Sequence, residues 1–164
     1  MAVLPILRWP DPRLAVVCAE VPELSDEIRQ LAADLLETMY DAKGRGLAAP
    51  QVGALWRVFV MDPSWKTGAP APVVMINPSV VRASNTVLQS SEGCLSIPGV
   101  MALVTRATDV RLRWTAPDGA AAEETLTGFR AICAQHEIDH LNGTVMLDRL
   151  APEPRAALEA AYFG

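Results

Sequence analysis

The sequence predicts an α+β fold in one unit spanning residues 1–164, on three observations. An amphipathic helical pattern lies in the first third of the chain. Several short strand-like runs follow it, and a second helix carrying both histidines comes only after them. Helices kept apart from a run of strands, rather than alternating with them, mark α+β rather than α/β.

The elements follow in order. After an extended, proline-punctuated start, Ser25 offers an N-cap oxygen, and Asp26 and Glu27 suit the positive end of a helix. Ile28, Leu31, Leu35, Leu36 and Met39 then recur on one helical face, and Gly44 and Gly46 are expected to end it. Residues 55–61, 73–76 and 86–89 read as short strands, with Pro63, Pro78 and Pro98 between or after them. The clearest strand alternates Val110, Leu112 and Trp114 with Asp109, Arg111 and Arg113. It turns at Asp118-Gly119 and returns through 124–127. The second helix is expected from Gly128 to Asn142-Gly143, with Ile132, Cys133, His136 and His140 on one face. A short helix over 153–162 closes the chain.

Composition narrows the function. Among 164 residues, 14 Lys+Arg stand against 19 Asp+Glu, a formal charge of −5, and 51 % are hydrophobic. That hydrophobic share excludes a disordered chain. The acidic balance, without a Lys/Arg cluster, argues against nucleic acid as a partner. No apolar run reaches the roughly 20 residues that cross a bilayer. The start Met1-Ala2-Val3-Leu4-Pro5 lacks the basic flank of a signal peptide, so a cytoplasmic protein without membrane attachment is expected. The three cysteines, Cys18, Cys94 and Cys133, are too few and too scattered for a disulfide framework. They suit buried thiols or a metal ligand, and Cys18 and Cys133 read as core.

The chemistry concentrates in three segments. The only two histidines, His136 and His140, flank Glu137. One helical turn apart, two imidazoles can grip one metal, with the glutamate placed to handle protons on a water. The plain alternative is a pair of solvated or core histidines on an ordinary helix. Two ligands underfill a metal site; Asp148, Glu153 and Glu159 are downstream candidates for a third, and Cys94, in Glu92-Gly93-Cys94-Leu95-Ser96, is the upstream one. A Cys-His-His set leaves a fourth position open, the count of a catalytic site. The third segment, Gly44-Arg45-Gly46-Leu47-Ala48-Ala49-Pro50-Gln51, lacks the phosphate-loop spacing. By itself it reads as a helix-ending turn more readily than as a site.

Taken together, Gly44 to Gln51, Glu92 to Ser96 and Gln135 to His140 resemble the three signature motifs of the peptide deformylases, in that family's order. Residues 6–14 are similar to the family's start. The resemblance implies a deformylase fold of short antiparallel and mixed strands around a central helix that bears His136 and His140. It implies a metal on Cys94, His136 and His140, Fe(II) by nature, with zinc, nickel or cobalt able to substitute. The reaction implied is hydrolysis of the N-formyl group of formyl-methionyl nascent peptides, releasing formate. Glu137 would handle the proton, Gln51 and the Leu95 N–H would hold the oxyanion, and Gly46 would bond the peptide backbone. Glu92 and Arg106 would stand behind the ligands or form an ordinary surface ion pair.

The chain departs from the family pattern in its implied methionine pocket. Arg45 and Ser90 stand where relatives carry apolar residues, and Phe129-Arg130 replaces an apolar pair, Phe129 remaining able to wall the pocket. These changes admit a diverged hydrolase that prefers another formyl amide, with an acidic or polar first residue. A non-catalytic, metal-stabilised binding module is a further alternative. Beyond Asp148 the sole cations are Arg149 and Arg155, so ribosome docking through a basic C-terminal helix is not expected. The expected partner is a formylated peptide N-terminus, and the expected state is a monomer.

Overall fold

A computed structural model describes residues 2–164. Helix α1 spans Asp26–Asp41, α2 Gly128–Leu141 and α3 Pro152–Phe163. The strands are β1 (Gly46–Ala48), β2 (Val58–Met61), β3 (Val73–Ala83), β4 (Val87–Cys94), β5 (Ile97–Ala107), β6 (Asp109–Thr115) and β7 (Ala121–Thr127). Five strands form one sheet in the order β1-β2-β3-β6-β7, and β4 pairs with β5 in a second. All these pairings are antiparallel; among the described residues the one parallel contact is an isolated bridge, Ala19 to Trp56.

The large sheet is covered on both faces, and β2 shows how. All four of its residues are buried. Phe59 and Met61 face α2, packing with Ala134, Ile138 and Leu141. Val58 and Val60 face α1, packing with Ile28, Leu35 and Met39. A strand sandwiched this way reads as a continuous apolar run, because both of its faces leave water. Helix α2 is central: ten of its fourteen residues are buried, including His136, Glu137, Asp139 and His140. A third cluster joins Ile97, Val100, Ala102 and Val104 of β5 to Leu14, Met146 and Leu147, with Leu158 and Tyr162 of α3 against it.

Ser25 caps α1 as expected, its Oγ accepting from Ile28 N at 3.3 Å. The helix stops differently. Lys43 takes the left-handed conformation (φ 59), Gly44 N donates to Met39 O at 2.9 Å, and Lys43 N donates to Tyr40 O at 3.0 Å. This is a Schellman closure with lysine where glycine is usual. Residues 46–48, expected to be turn, form β1.

Strand β3 is longer than the sequence suggested, and β5 was not expected at all. Pro78 lies inside β3, tolerated at an irregularity between Ile76 and Ser79 where the pairing register shifts. Pro98 lies near the start of β5, a strand missing from the sequence reading. There Val100, Ala102, Val104 and Arg106 point inward. Its outward Met101 and Leu103 are both more than half exposed. Apolar residues on both faces blur the period-two signal, and the buried arginine breaks it.

Candidate metal centre

Three elements converge on one point. Helix α2 sets His136 and His140 one turn apart, with ring centroids 5.1 Å from each other. Strand β4 ends at Cys94, whose Sγ lies 3.4 Å from His140 Nε2. The three donor atoms of Cys94, His136 and His140 all lie within 4.8 Å of one another. This separation suits one ion at the usual 2.0–2.3 Å ligand distances. The downstream alternatives lie elsewhere: Asp148 pairs with Arg155 and caps Val145 N, Glu159 pairs with Arg155, and Glu153 is exposed at the start of α3.

Behind the ligands runs a buried polar chain. Glu92 accepts two bonds from Arg106, from Nε and Nη2, each 2.8 Å long. Arg106 Nη1 donates to Asp139 Oδ2 at 2.6 Å, and Arg149 Nη2 donates to Asp139 Oδ1 at 2.6 Å. Two carboxylates thus meet two guanidinium groups, which is how buried ions avoid the full desolvation penalty. Burial alone would raise the pKa of Glu92, but Arg106 and then His136 hold it at about 2. An ionised Glu92 can only accept, so His136 Nδ1, 2.9 Å from its Oε1, carries the proton. The ring's Nε2 then presents its lone pair to a metal. The surface-pair alternative for Glu92 and Arg106 therefore fails, since both are buried. Asp139 and Arg149 are members the sequence reading did not assign. The signal for Asp139 was its place inside the Gln135-to-His140 motif, one residue before a ligand.

Glu137 is buried in the cleft wall, and its Oε1 has no partner among the described residues. Burial pushes its carboxyl up to about 7, with the charges of Glu92 and Asp139 acting in the same direction and His136 and Arg106 opposing. Such a group suits holding and releasing a proton near neutrality. Its closeness to β1 depends on Gly46: a Cβ there would lie 2.5 Å from Glu137 Oε2 and 3.0 Å from Cys133 Sγ. Burial holds the His140 ring well below its usual pKa and so in the neutral form that binds metals.

Gln51 is pinned at both ends of its amide. Its Oε1 accepts from Ala48 N at 2.9 Å, and its Nε2 donates to Ser96 Oγ at 3.0 Å and points at Cys94 Sγ from 3.8 Å. Leu95 sits at the turn between β4 and β5, its carbonyl accepting from Arg8 Nη1 at 3.2 Å.

These groups line a cleft of about 570 Å³, within the range of a small-ligand site. Arg45, Gly46, Gln51, Cys94, Leu95, Phe129, His136 and Glu137 all line it. Ser90 and Arg130 do not. Ser90 shares the inward face of β4 with Glu92, its Oγ buried without a partner among the described residues. Arg130 pairs with Glu124 at 3.0 Å outside the cleft. Cys133, read as core, is buried and also reaches the cleft, its Sγ 3.6 Å from the Arg45 carbonyl. Cys18 is buried away from it.

The frame that carries this site has counterparts of known structure. The sequence profile of the polypeptide deformylases matches residues 3–156. The chain belongs to the polypeptide deformylase family. It is 49 % identical to a peptide deformylase of Alkalilimnicola ehrlichii over 92 % of this chain and 84 % of that one. It is 44 % identical to one of Cellvibrio japonicus over 98 % and 94 %. The crystal structure of a Legionella pneumophila peptide deformylase superposes with a TM-score of 0.92 at 36 % identity, covering 99 % of this chain and 94 % of that one. An Ehrlichia chaffeensis deformylase crystallised with actinonin gives 0.91 at 37 %, covering 96 % and 94 %. The deformylase fold expected from the motifs is therefore the fold observed. Deformylases are metal-dependent, and Cys94, His136 and His140 are grouped as a set that could hold an ion. No described helix is long and apolar enough to cross a membrane.

Proposed function

We propose that this chain removes the N-formyl group from formyl-methionyl peptides by metal-assisted hydrolysis, releasing formate and the free amine. The observation that carries the reading is the position of Glu137, buried beside the Cys94-His136-His140 group with a free carboxylate oxygen at the cleft wall. The donor set suits Fe(II), with zinc, nickel or cobalt able to substitute. When bound there, the metal supplies the Lewis acidity that makes water a nucleophile near neutral pH.

The chain's own groups do the rest. Glu137 accepts the proton of the attacking water and delivers it to the departing amine nitrogen. The Gln51 side-chain amide and the Leu95 N–H face the formyl oxygen as charge develops on it; one such donor is worth about 3 kcal/mol in the transition state. Strand β1 is the outermost strand of its sheet, so Gly46 can bond a peptide backbone laid beside it. Glu92 fixes the tautomer of His136, and Arg106 fixes Glu92. Phe129 and Arg45 wall the outer side of the cleft, where the substrate's side chains must pass.

We place the enzyme in the cytoplasm, acting as a monomer on peptide N-termini. Both cations near α3 are internally engaged, Arg149 with Asp139 and Arg155 with Asp148 and Glu159, so our reading gives α3 no ribosome-docking role. The test is formate release from formyl-Met-Ala-Ser by anaerobically prepared Fe(II)-loaded protein. Release that vanishes in Glu137→Ala, while that variant still retains one metal per chain, supports the reading. No release by either the Fe(II) or the nickel protein defeats it.

A further inference from the structure

The fourteen Lys and Arg residues divide sharply by place. Arg13, Arg29, Arg106, Arg111, Arg113, Arg130, Arg149 and Arg155 each pair with a carboxylate, and none of these eight lines the cleft. Of the six without such a partner among the described residues, four line it: Arg8, Lys43, Arg45 and Lys66. In a chain of net charge −5, free cations are thus gathered at one opening. The carboxylates lining that cleft do not answer them. Glu92 is committed to Arg106 and His136, and Glu137 lies inward beside the metal ligands. Asp62, near Lys66 in the chain, accepts from Tyr40 Oη and Ala71 N.

Lys43, Arg45 and Lys66 stand close together. Burial lowers the pKa of the Lys66 ammonium, and the charges of Arg45 and Lys43 lower it further. Lys66 lies over the Trp65 ring at 5.7 Å, and the Arg45 guanidinium over the Phe129 ring at 5.5 Å. Aromatic faces hold both cations in place without neutralising them. Lys43 keeps its side chain although its left-handed backbone favours glycine. Lys43 and Lys66 are exposed and Arg45 is half-buried, so all three charges can meet an anion that comes from solvent.

Chain direction says where that anion falls. Gln51 lies by Cys94, Gly46 lies by Glu137, and Arg45 and Lys43 precede Gly46 on the way out of the cleft. A peptide with its formyl end at Cys94, His136 and His140 and its backbone along β1 passes Gly46 first and the three cations next. We propose that this rim selects formylated peptides with acidic side chains at their second and third residues, bound by Lys43, Arg45 and Lys66. The inference rests on the deformylase reading above and adds the substrate class.

The experiment compares kcat/KM for formate release from formyl-Met-Glu-Glu, formyl-Met-Ala-Ser, formyl-Met-Lys-Lys and formyl-Glu-Ala-Ser with Fe(II)-loaded protein. At low salt the Glu-Glu peptide is expected to exceed the Lys-Lys peptide by about tenfold or more, narrowing to within about threefold at 1 M salt. The ratio should fall in Lys66→Gln, whose site is exposed, and further in Lys43→Gln/Arg45→Gln/Lys66→Gln. Arg82→Gln removes an equal charge outside the cleft and should leave the ratio unchanged. Equal rates on the Glu-Glu and Lys-Lys peptides, or a preference for acid only at the first residue, would overturn the proposal. Silence on all four peptides would instead defeat the deformylase reading, and this inference with it.

Discussion

The floor and the rim of the cleft are built on opposite electrostatic terms. At the floor, Glu92, Arg106, Asp139 and Arg149 are joined by short bonds, and His136 is tied into the same chain. At the rim, Lys43, Arg45 and Lys66 carry charge with no carboxylate partner among the described residues. The floor spends its charges on one another to fix the orientation of a ligand. The rim leaves its charges available to something that arrives. Chemistry thus sits where the protein is self-satisfied, and selection sits where it is not. Within the floor, Glu137 is the exception, its Oε1 left without a partner.

The sharpest way to break this contrast is to remove that exception. Glu137→Ala should lower kcat on formyl-Met-Ala-Ser by at least about 10²–10⁴-fold, the usual worth of a positioned acid-base group. Its thermal midpoint should hold or rise, because a buried carboxyl without a full set of partners is gone. Assay and calorimetry on one preparation check both halves.

Next is the floor's own pairing. Arg106→Ala leaves Glu92 and part of Asp139 buried without their cation, which should cost about 3–5 kcal/mol of stability. Metal affinity should also fall about 10–100-fold, since the partner that orients His136 is disturbed. Denaturant titration and metal competition measure the two effects. A smaller loss than 1 kcal/mol would mean that the network is hydrated and the contrast overstated.

Gly46→Ala probes the seam between the two regions. With a Cβ 2.5 Å from Glu137 Oε2, something must move, and an ångström-scale displacement of a reacting group costs on the order of 10²-fold in rate. The loss should appear mainly in kcat. A loss confined to KM would instead assign Gly46 to peptide binding alone.

The smallest effect belongs to the rim. Arg45→Ile removes one stacked but unpaired cation and should change stability by no more than about 1 kcal/mol. Its signature should be a weaker salt dependence of kcat/KM, read by repeating the assay across ionic strength.

Some of this was legible in the chain itself. Ser25 and the Ile28 to Met39 stripe gave α1, because capping and helical periodicity are local. The Asp109 to Thr115 alternation gave β6 for the same reason. His136, Glu137 and His140 pointed to a candidate metal site because one helical turn fixes their spacing whatever surrounds them. The strand carrying Arg106 escaped, since its outward Met101 and Leu103 hide the alternation and an inward arginine looks like a surface residue until its partners are known.

What only the tertiary structure decided is which distant groups meet. Sequence brought Gly44 to Gln51, Glu92 to Ser96 and Gln135 to His140 together only by resemblance; packing of α2 between the two sheets brought them together in space. It gave His140 its neighbour Cys94, gave Arg106 the carboxylates of Glu92 and Asp139, turned Arg130 toward Glu124 and left Ser90 outside the cleft. It also left the cations at positions 43, 45 and 66 unanswered. A residue's type and its helical or strand period are set by neighbours a few positions away. Whether its charge is met, and so whether it holds the fold or waits for a substrate, depends on elements that arrive from elsewhere in the chain.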